Sequence, residues 1–316
     1  MSEFINRGNK ATKTGFGEGV RNAAAVNDKV IGIGADITAS VGMNIFSEAF
    51  PERFVSLGIA EQNCIAVAAG MALSNKIPVF STYGVFAAHR ACDQIRISVC
   101  YNNLHVIIGG AHAGVSVGPD GATHQALEDI AMMRVLPRMT VISPCDATQT
   151  MIATEKAILE CVGPVYLRFG REPRPDFTDV NQDFVIGKGQ ILKEGKDICI
   201  IATGHEVWES ILAAQRLENE GRSVMVVNIH TIKPLDEQLL LEIADRFSTV
   251  FTVEEHQIIG GLGGAVAEFF SENHPVRVVR IGMNDTFGES GQPEELIHHF
   301  KLDADGIYEK IVSSLL

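Results

Sequence analysis

The chain has 316 residues and carries 39 acidic against 26 basic side chains, a formal charge of −13. That length suits two domains with a core each, and the acidic balance argues against nucleic acid or an anionic membrane surface as the main partner. No apolar run reaches the length of a membrane span, and the opening MSEFINRGNK lacks the apolar centre of a signal peptide. The cysteines (Cys64, Cys92, Cys100, Cys145, Cys161, Cys199) are scattered without a CxxC pair, which points to reduced thiols in a cytoplasmic protein and to no metal site or disulfide frame.

In chain order, VIGIGADI (30–37), RFVSLG (53–58), IPVFSTY (77–83), LHVIIGG (104–110), TVISPC (140–145) and PVYLRFG (164–170) read as strands. Helical stretches are expected between them at 61–74, 86–101, 124–136 and 146–161. Near-continuous apolar strands separated by helices imply a largely parallel sheet covered on both faces. The polar, proline-containing segment REPRPDFTDVNQDF (171–184) is the expected linker. Beyond it, DICIIATG (197–204), SVMVVNIH (223–230), TVFTVEE (249–255) and VRVVRIG (276–282) restart the rhythm. The expected fold class is therefore α/β in two domains, a parallel-sheet domain over residues 1–180 and a smaller α/β domain over residues 185–316.

Glycine pairs at 31–36 (IGIGAD) and 260–265 (GGLGGA) invite a dinucleotide reading, but neither gives a full GxGxxG opening a helix with an acid about twenty residues on. The chemistry-bearing residues gather instead at the ends of the first-domain strands, the edge where open parallel sheets bind ligands. Asp36 and Ser40 follow the first strand, and Glu61 follows the second. Tyr83, Phe86, His89 and Arg90 follow the third; His112, Asp120 and His124 the fourth; Arg168 and Arg171 close the sixth. Each also has a plain structural use, as a turn former, cap or core aromatic. Glu61 opens a helical run of small apolar residues with no further charge until Lys76, and an acid there can simply serve free helix amides. The glycine-rich loop 109–123 is long for a compact domain, a mark of function, and its glycines let backbone approach a ligand. His112, Asp120 and His124 fit no zinc spacing.

The strings GADITAS, GIAEQN, STYGVFAAHRACDQIR, HAGVSVGPDGATHQALED, LRFGREP, TIKPLD and VEEHQIIGGLGGAVAE, in this order, resemble the C-terminal half of transketolase: the pyrimidine-binding domain followed by the transketolase C-terminal domain. The resemblance runs from about residue 10 to the end. It implies that Glu61 is the glutamate that hydrogen-bonds N1′ of the thiamine diphosphate aminopyrimidine, favouring the imino form whose 4′ nitrogen takes the thiazolium C2 proton. Such a carboxyl works best desolvated, with its pKa raised, a setting expected from the apolar helix behind it. Tyr83 and Phe86 match aromatics packed against that ring, and Asp36 matches an acid near the thiazolium. His112 and His124 match histidines of the substrate channel that assist proton transfers, and Asp120 the acid that reads the acceptor's C2 hydroxyl. Ser40, His112 and Arg171 correspond to groups at the substrate phosphate.

Tyr83 stands where phenylalanine is commoner, and Pro119 replaces the usual acid before Asp120. The spacing around AAHR leaves the roles of His89 and Arg90 unassigned. No GDG motif is present, and about 30 residues precede the first strand, so the chain is expected to be one subunit of a split transketolase. An N-terminal transketolase subunit would then supply the diphosphate site and most of the Mg²⁺ ligation, in an α2β2 assembly acting on sugar phosphates. Rival expectations are the β subunit of a 2-oxoacid dehydrogenase, a deoxyxylulose-phosphate synthase-like enzyme, or a regulatory subunit that kept the fold without the chemistry.

Overall fold

A computed structural model describes residues 4–315. The larger sheet has seven strands in the order Thr231–Lys233, Thr140–Ile142, Val165–Arg168, Ile107–Ala111, Ile77–Tyr83, Val30–Gly34 and Phe54–Ser56. Six of these run parallel, as their apolar, doubly covered sequences require. The seventh, Thr231–Lys233, is antiparallel to Thr140–Ile142 and comes from beyond the expected linker. The second sheet orders Arg277–Met283, Thr249–Gln257, Ile198–Ala202, Val224–Asn228 and Gln190–Lys193, with only the last pairing antiparallel. Expected strand centres hold throughout, while several ends are shorter because the chain turns into the functional loops earlier than the apolar runs stop.

The segment 171–184 is less free than a linker. Pro173–Pro175 pairs antiparallel with Asn9–Ala11, a two-stranded ribbon in which prolines are tolerated because no further strand needs their amides. Asp146, which caps the Ala147–Glu160 helix by accepting from Gln149 N at 2.7 Å, also accepts from Phe177 N and Thr178 N. One buried carboxylate therefore fixes both a helix start and the exit from the first sheet.

The Thr12–Val26 helix lies against the Ala147–Glu160 helix at backbone distance. A Cβ on Gly15 would fall 2.1 Å from the Ala147 carbonyl oxygen, and one on Gly19 would fall 2.5 Å from that of Met151. The sequence TGFGEG is thus a packing surface, which offsets the helix-weakening effect of its glycines.

Two helical expectations need correction. The Glu61–Leu73 helix is apolar but not enclosed: Gln62, Asn63, Ala66, Gly70 and Leu73 are exposed, and only the Glu61, Cys64, Ile65, Ala68, Ala69 face is buried. The segment 124–136 is helical only over Asp129–Arg134, so His124 sits in a turn before it. Glycine at 118 and 121 and the bonds from Gln125 hold that stretch in loop form. Residues 86–100 are helical but wide-turned, with π geometry over Phe86–Arg90 and Ile95–Cys100. Among the described residues, no helix is long and apolar enough to cross a membrane.

Candidate active site

The carboxyl ends of the parallel strands bring most of the expected residues together. Glu61, at the first turn of its helix, is 2% exposed, and Arg90 Nη1 donates to both of its carboxylate oxygens at 2.8 Å. The Arg90 guanidinium lies over the Phe86 ring, 4.1 Å from its centroid, while its side chain stays 43% exposed. Phe86 sits 5.9 Å from Tyr83 and 5.4 Å from His124, and Tyr83 stacks on His112 at 4.3 Å with 18° between the planes. Four rings and one carboxylate thus line a continuous surface. His89 turns away from it, toward Val85 O and Glu128.

His112 is held by backbone as well as by its ring. Its φ of +53° puts it in the left-handed region directly after the Ile107–Ala111 strand, a strained placement of the kind found at binding sites. Its Nε2 donates to the Ser40 carbonyl at 3.0 Å, because a carbonyl can only accept. Burial pushes its pKa down to about 4, although the Ser40 bond opposes the shift. The ring is therefore neutral at pH 7, with Nδ1 as an acceptor, and that Nδ1 is buried without a partner. Ser40 contributes through its main chain here, with its hydroxyl at the same turn. His124 is half-buried and shares a hydrogen bond of 2.9 Å with Thr123 Oγ1 through Nδ1. Asp36 has φ +68° at the same edge and is exposed.

Asp120 and Arg171, placed in separate roles by sequence, form an ion pair at 3.2 Å. Arg171 also donates to Val117 O at 3.3 Å and pairs with Glu172. Lys13 was missed in the sequence. Burial and the neighbouring Arg171 guanidinium lower its pKa, which places a second cation beside the first. The signal was the glycine pattern of TGFGEG, which brings the start of that helix under the site. Arg90, whose role spacing alone does not assign, is the partner of Glu61. Arg168, also at this edge by sequence, turns inward: its Nε donates to Asp129, which also accepts from the Tyr166 hydroxyl at 2.8 Å.

The arrangement offers a buried carboxylate, flat aromatic faces, a neutral imidazole with a free acceptor, and a cationic corner. The set fits an aminopyrimidine: Phe86 and Tyr83 offer ring faces, and Glu61 offers a carboxylate that Arg90 now holds. The unpartnered His112 Nδ1 fits a ligand hydroxyl. Among the described residues, no three His, Cys, Asp or Glu side chains gather as a metal site.

Residues 9–175 match the model of the transketolase pyrimidine-binding domain, and residues 187–307 match that of the transketolase C-terminal domain. The chain is 42% identical over 311 residues to a Methanocaldococcus jannaschii protein provisionally named a transketolase C-terminal section, covering 97% of this chain and 96% of that one. It is 40% identical over 284 residues to a 6-deoxy-6-sulfo-D-fructose transketolase subunit of Clostridium sp. (strain MSTE9), covering 90% of this chain and 88% of the relative. A solved inactive β4 tetramer of a split-gene transketolase superposes with a TM-score of 0.90 at 44% identity, covering 96% of this chain and 98% of that one. With both domain models matched in order and relatives of this identity aligned over nearly their full lengths, the chain belongs to the transketolase family.

Proposed function

We propose that this chain is the C-terminal subunit of a thiamine diphosphate-dependent transketolase, which moves a two-carbon ketol unit from a ketose phosphate to an aldose phosphate. The observation that carries the reading is the convergence at one sheet edge of buried Glu61, the Tyr83, Phe86, His112 and His124 rings, and the Arg171–Asp120 pair. When bound, the cofactor supplies a thiazolium carbon able to attack the donor ketone. Glu61 would hold N1′ of its aminopyrimidine, and Tyr83 and Phe86 would hold the ring's faces. Asp36 would face the thiazolium. His112 accepts a hydrogen bond from a sugar hydroxyl at Nδ1, a role suited to an imidazole that stays neutral. His124, the more open histidine, moves protons to and from the substrate oxygens. Arg171, with Lys13 beside it and the Ser40 turn opposite, holds the phosphate, and Asp120 reads the acceptor's C2 hydroxyl.

The diphosphate and its Mg²⁺ would be held by an N-terminal transketolase subunit, because this sequence has no GDG motif and a bare diphosphate would meet an acidic chain. Exposed Ile59, Leu73, Ile97 and Tyr101 around the Glu61 helix support subunit packing on this side, in an α2β2 assembly.

The test is calorimetry with cofactor and Mg²⁺ on this chain alone and on its mixture with the N-terminal subunit, followed by assays of ketose phosphate cleavage and pyruvate decarboxylation. Tight binding and ketol transfer are expected only in the mixture. Micromolar binding and transfer by this polypeptide alone would overturn the split-subunit assignment. Decarboxylation without ketose cleavage would move the chain to the 2-oxoacid dehydrogenase or deoxyxylulose-phosphate synthase reading, and a silent complex to a regulatory one.

A further inference from the structure

The substrate loop is tied down from the other half of the chain. The Thr249–Gln257 strand ends in Glu254, Glu255, His256 and Gln257, and the last three all reach back to residues 113–131. Glu255 Oε1 accepts from Ser116 N at 2.6 Å, with the carboxylate 4% exposed. His256 Nε2 accepts from Ala131 N at 3.4 Å, and Gln257 N donates to Leu127 O at 2.9 Å. Arg168 Nη2 donates to the carbonyls of both Ala126 and Glu255, joining the loop's exit to the same strand.

The loop is shaped around that carboxylate. Gly114 has φ +87°, and a Cβ there would lie 2.1 Å from the Glu255 carboxyl carbon, so this turn requires glycine on both conformational and steric grounds. The site residues hang from the same turn. His112 lies two positions before Gly114; Val117 O, one residue past Ser116, accepts from Arg171; Asp120 pairs with that arginine three residues later. A carboxylate that fixes Ser116 N therefore fixes the frame in which His112, Arg171 and Asp120 meet a sugar phosphate.

We infer that Glu255, which touches none of the groups assigned to cofactor or substrate, is a positioning residue that sets the substrate side of the site from the C-terminal half through its bond to Ser116. The inference rests on the reading of this sheet edge as the transketolase active site. It gives the C-terminal half a part in recognition of the sugar phosphate, separate from cofactor activation at Glu61. A displacement of about 1 Å in such groups can cost up to about 10²-fold in rate, so a tie of this kind has kinetic weight.

The experiment compares Glu255→Ala, Glu255→Asp and Glu255→Gln in the complex assembled with the N-terminal subunit, thiamine diphosphate and Mg²⁺. Glu255→Ala should raise KM for the phosphorylated sugars on the order of tenfold while leaving exchange of the cofactor C2 proton unchanged. Glu255→Gln keeps an acceptor at the same reach and should restore most of the loss. Glu255→Asp keeps the buried charge beside Arg168 but withdraws it from Ser116, so it should reproduce the KM effect even if the alanine variant fails to fold. Amide exchange of Ser116–Gly118, read on this chain by itself, should speed up in the alanine and aspartate variants and stay slow in the glutamine one. Unchanged KM in the aspartate variant, or C2 exchange slowed in step with transfer, overturns the assignment. If the wild-type complex transfers no ketol unit, the activity reading fails, while amide exchange still judges the tie.

Discussion

The loop 109–123 has charged groups on both sides, and the two sides are built differently. Toward the sheet edge, Arg90, Asp120 and Arg171 are partly open, each held by one to three partners and in part in solvent. Toward the C-terminal half, Arg168 and Asp129 are 6% and 0% exposed and Glu255 is as deeply enclosed, beside the titratable Glu254 and the neutral His256, whose bonds are spent on backbone. Charges kept half in water can change partners when a ligand arrives. Charges sealed in the seam cannot, because removing one partner leaves the other desolvated and unpaired. The open side is therefore free to meet a ligand, and the sealed side is scaffold that keeps it in register.

Mutations on each side break or sharpen that contrast. Glu61→Gln is nearly isosteric and should leave thermal unfolding unchanged while lowering C2-proton exchange in the assembled enzyme by about 10²–10⁴-fold. Wild-type exchange in the variant would falsify the role. Asp129→Ala should do the reverse. It strips the buried Arg168 of its anion and Tyr166 of its acceptor, so urea unfolding should show a loss of about 3–5 kcal/mol. An unfolding midpoint that stays in place would mean that the seam relaxes more easily than its burial implies.

Arg171→Ala should weaken phosphorylated substrates by about 10- to 100-fold in kcat/KM while sparing unphosphorylated analogues such as hydroxypyruvate, since a charge-assisted bidentate contact is lost only to the former. Equal losses for both would make the residue structural. Asp120→Ala is expected to cost less and to show mainly as blunted preference between acceptors epimeric at C2.

The smallest effect concerns acid stability. Burial pushes His112 and His256 down to about 4 and His205 and His230 down to about 3, so the unfolded chain takes up their protons first and stability falls as pH drops below 6.5. Glu254 opposes this: burial lifts it to about 7 despite bonds from Leu262 N and Gly263 N, so the folded state gains its proton first and stability rises as pH falls from 7 toward 4.5. Glu254→Gln removes the opposing uptake. Its Tm should fall more steeply than wild type between pH 7 and pH 5, by roughly 2–4 °C, the shift expected for about 1 kcal/mol in a larger domain. Parallel Tm profiles would assign the residue no linked proton.

The strand-end placement of Glu61, Tyr83, Phe86, His112 and Asp120 was legible because parallel strands announce themselves by apolar runs and their functional loops must follow directly. Arg90 was not. The wide turn at Phe86–Arg90 inserts residues into the helical count, which is why AAHR could not be registered by spacing and why the guanidinium comes round to Glu61. The exposed stripe of the Glu61 helix was hidden by composition, since alanine, glycine and leucine describe a buried face and a partner-facing one equally well. The ties from Glu255 and His256 are long-range contacts of a strand end with a loop more than a hundred residues earlier, and no local pattern encodes them.

The Thr231–Lys233 strand has a bearing on how such chains can be cut and recombined. The segment 171–184 looks like a seam for excision, yet a fragment ending there gives up the antiparallel border of its main sheet and bares the amide and carbonyl row of Thr140–Ile142. Left bare, that row is a template for intermolecular pairing. A chimera that swaps the second half for a relative's would inherit the border strand with it, so the loop-side carboxylates and the sheet border travel together. The unit of exchange in this architecture accordingly holds both sheets.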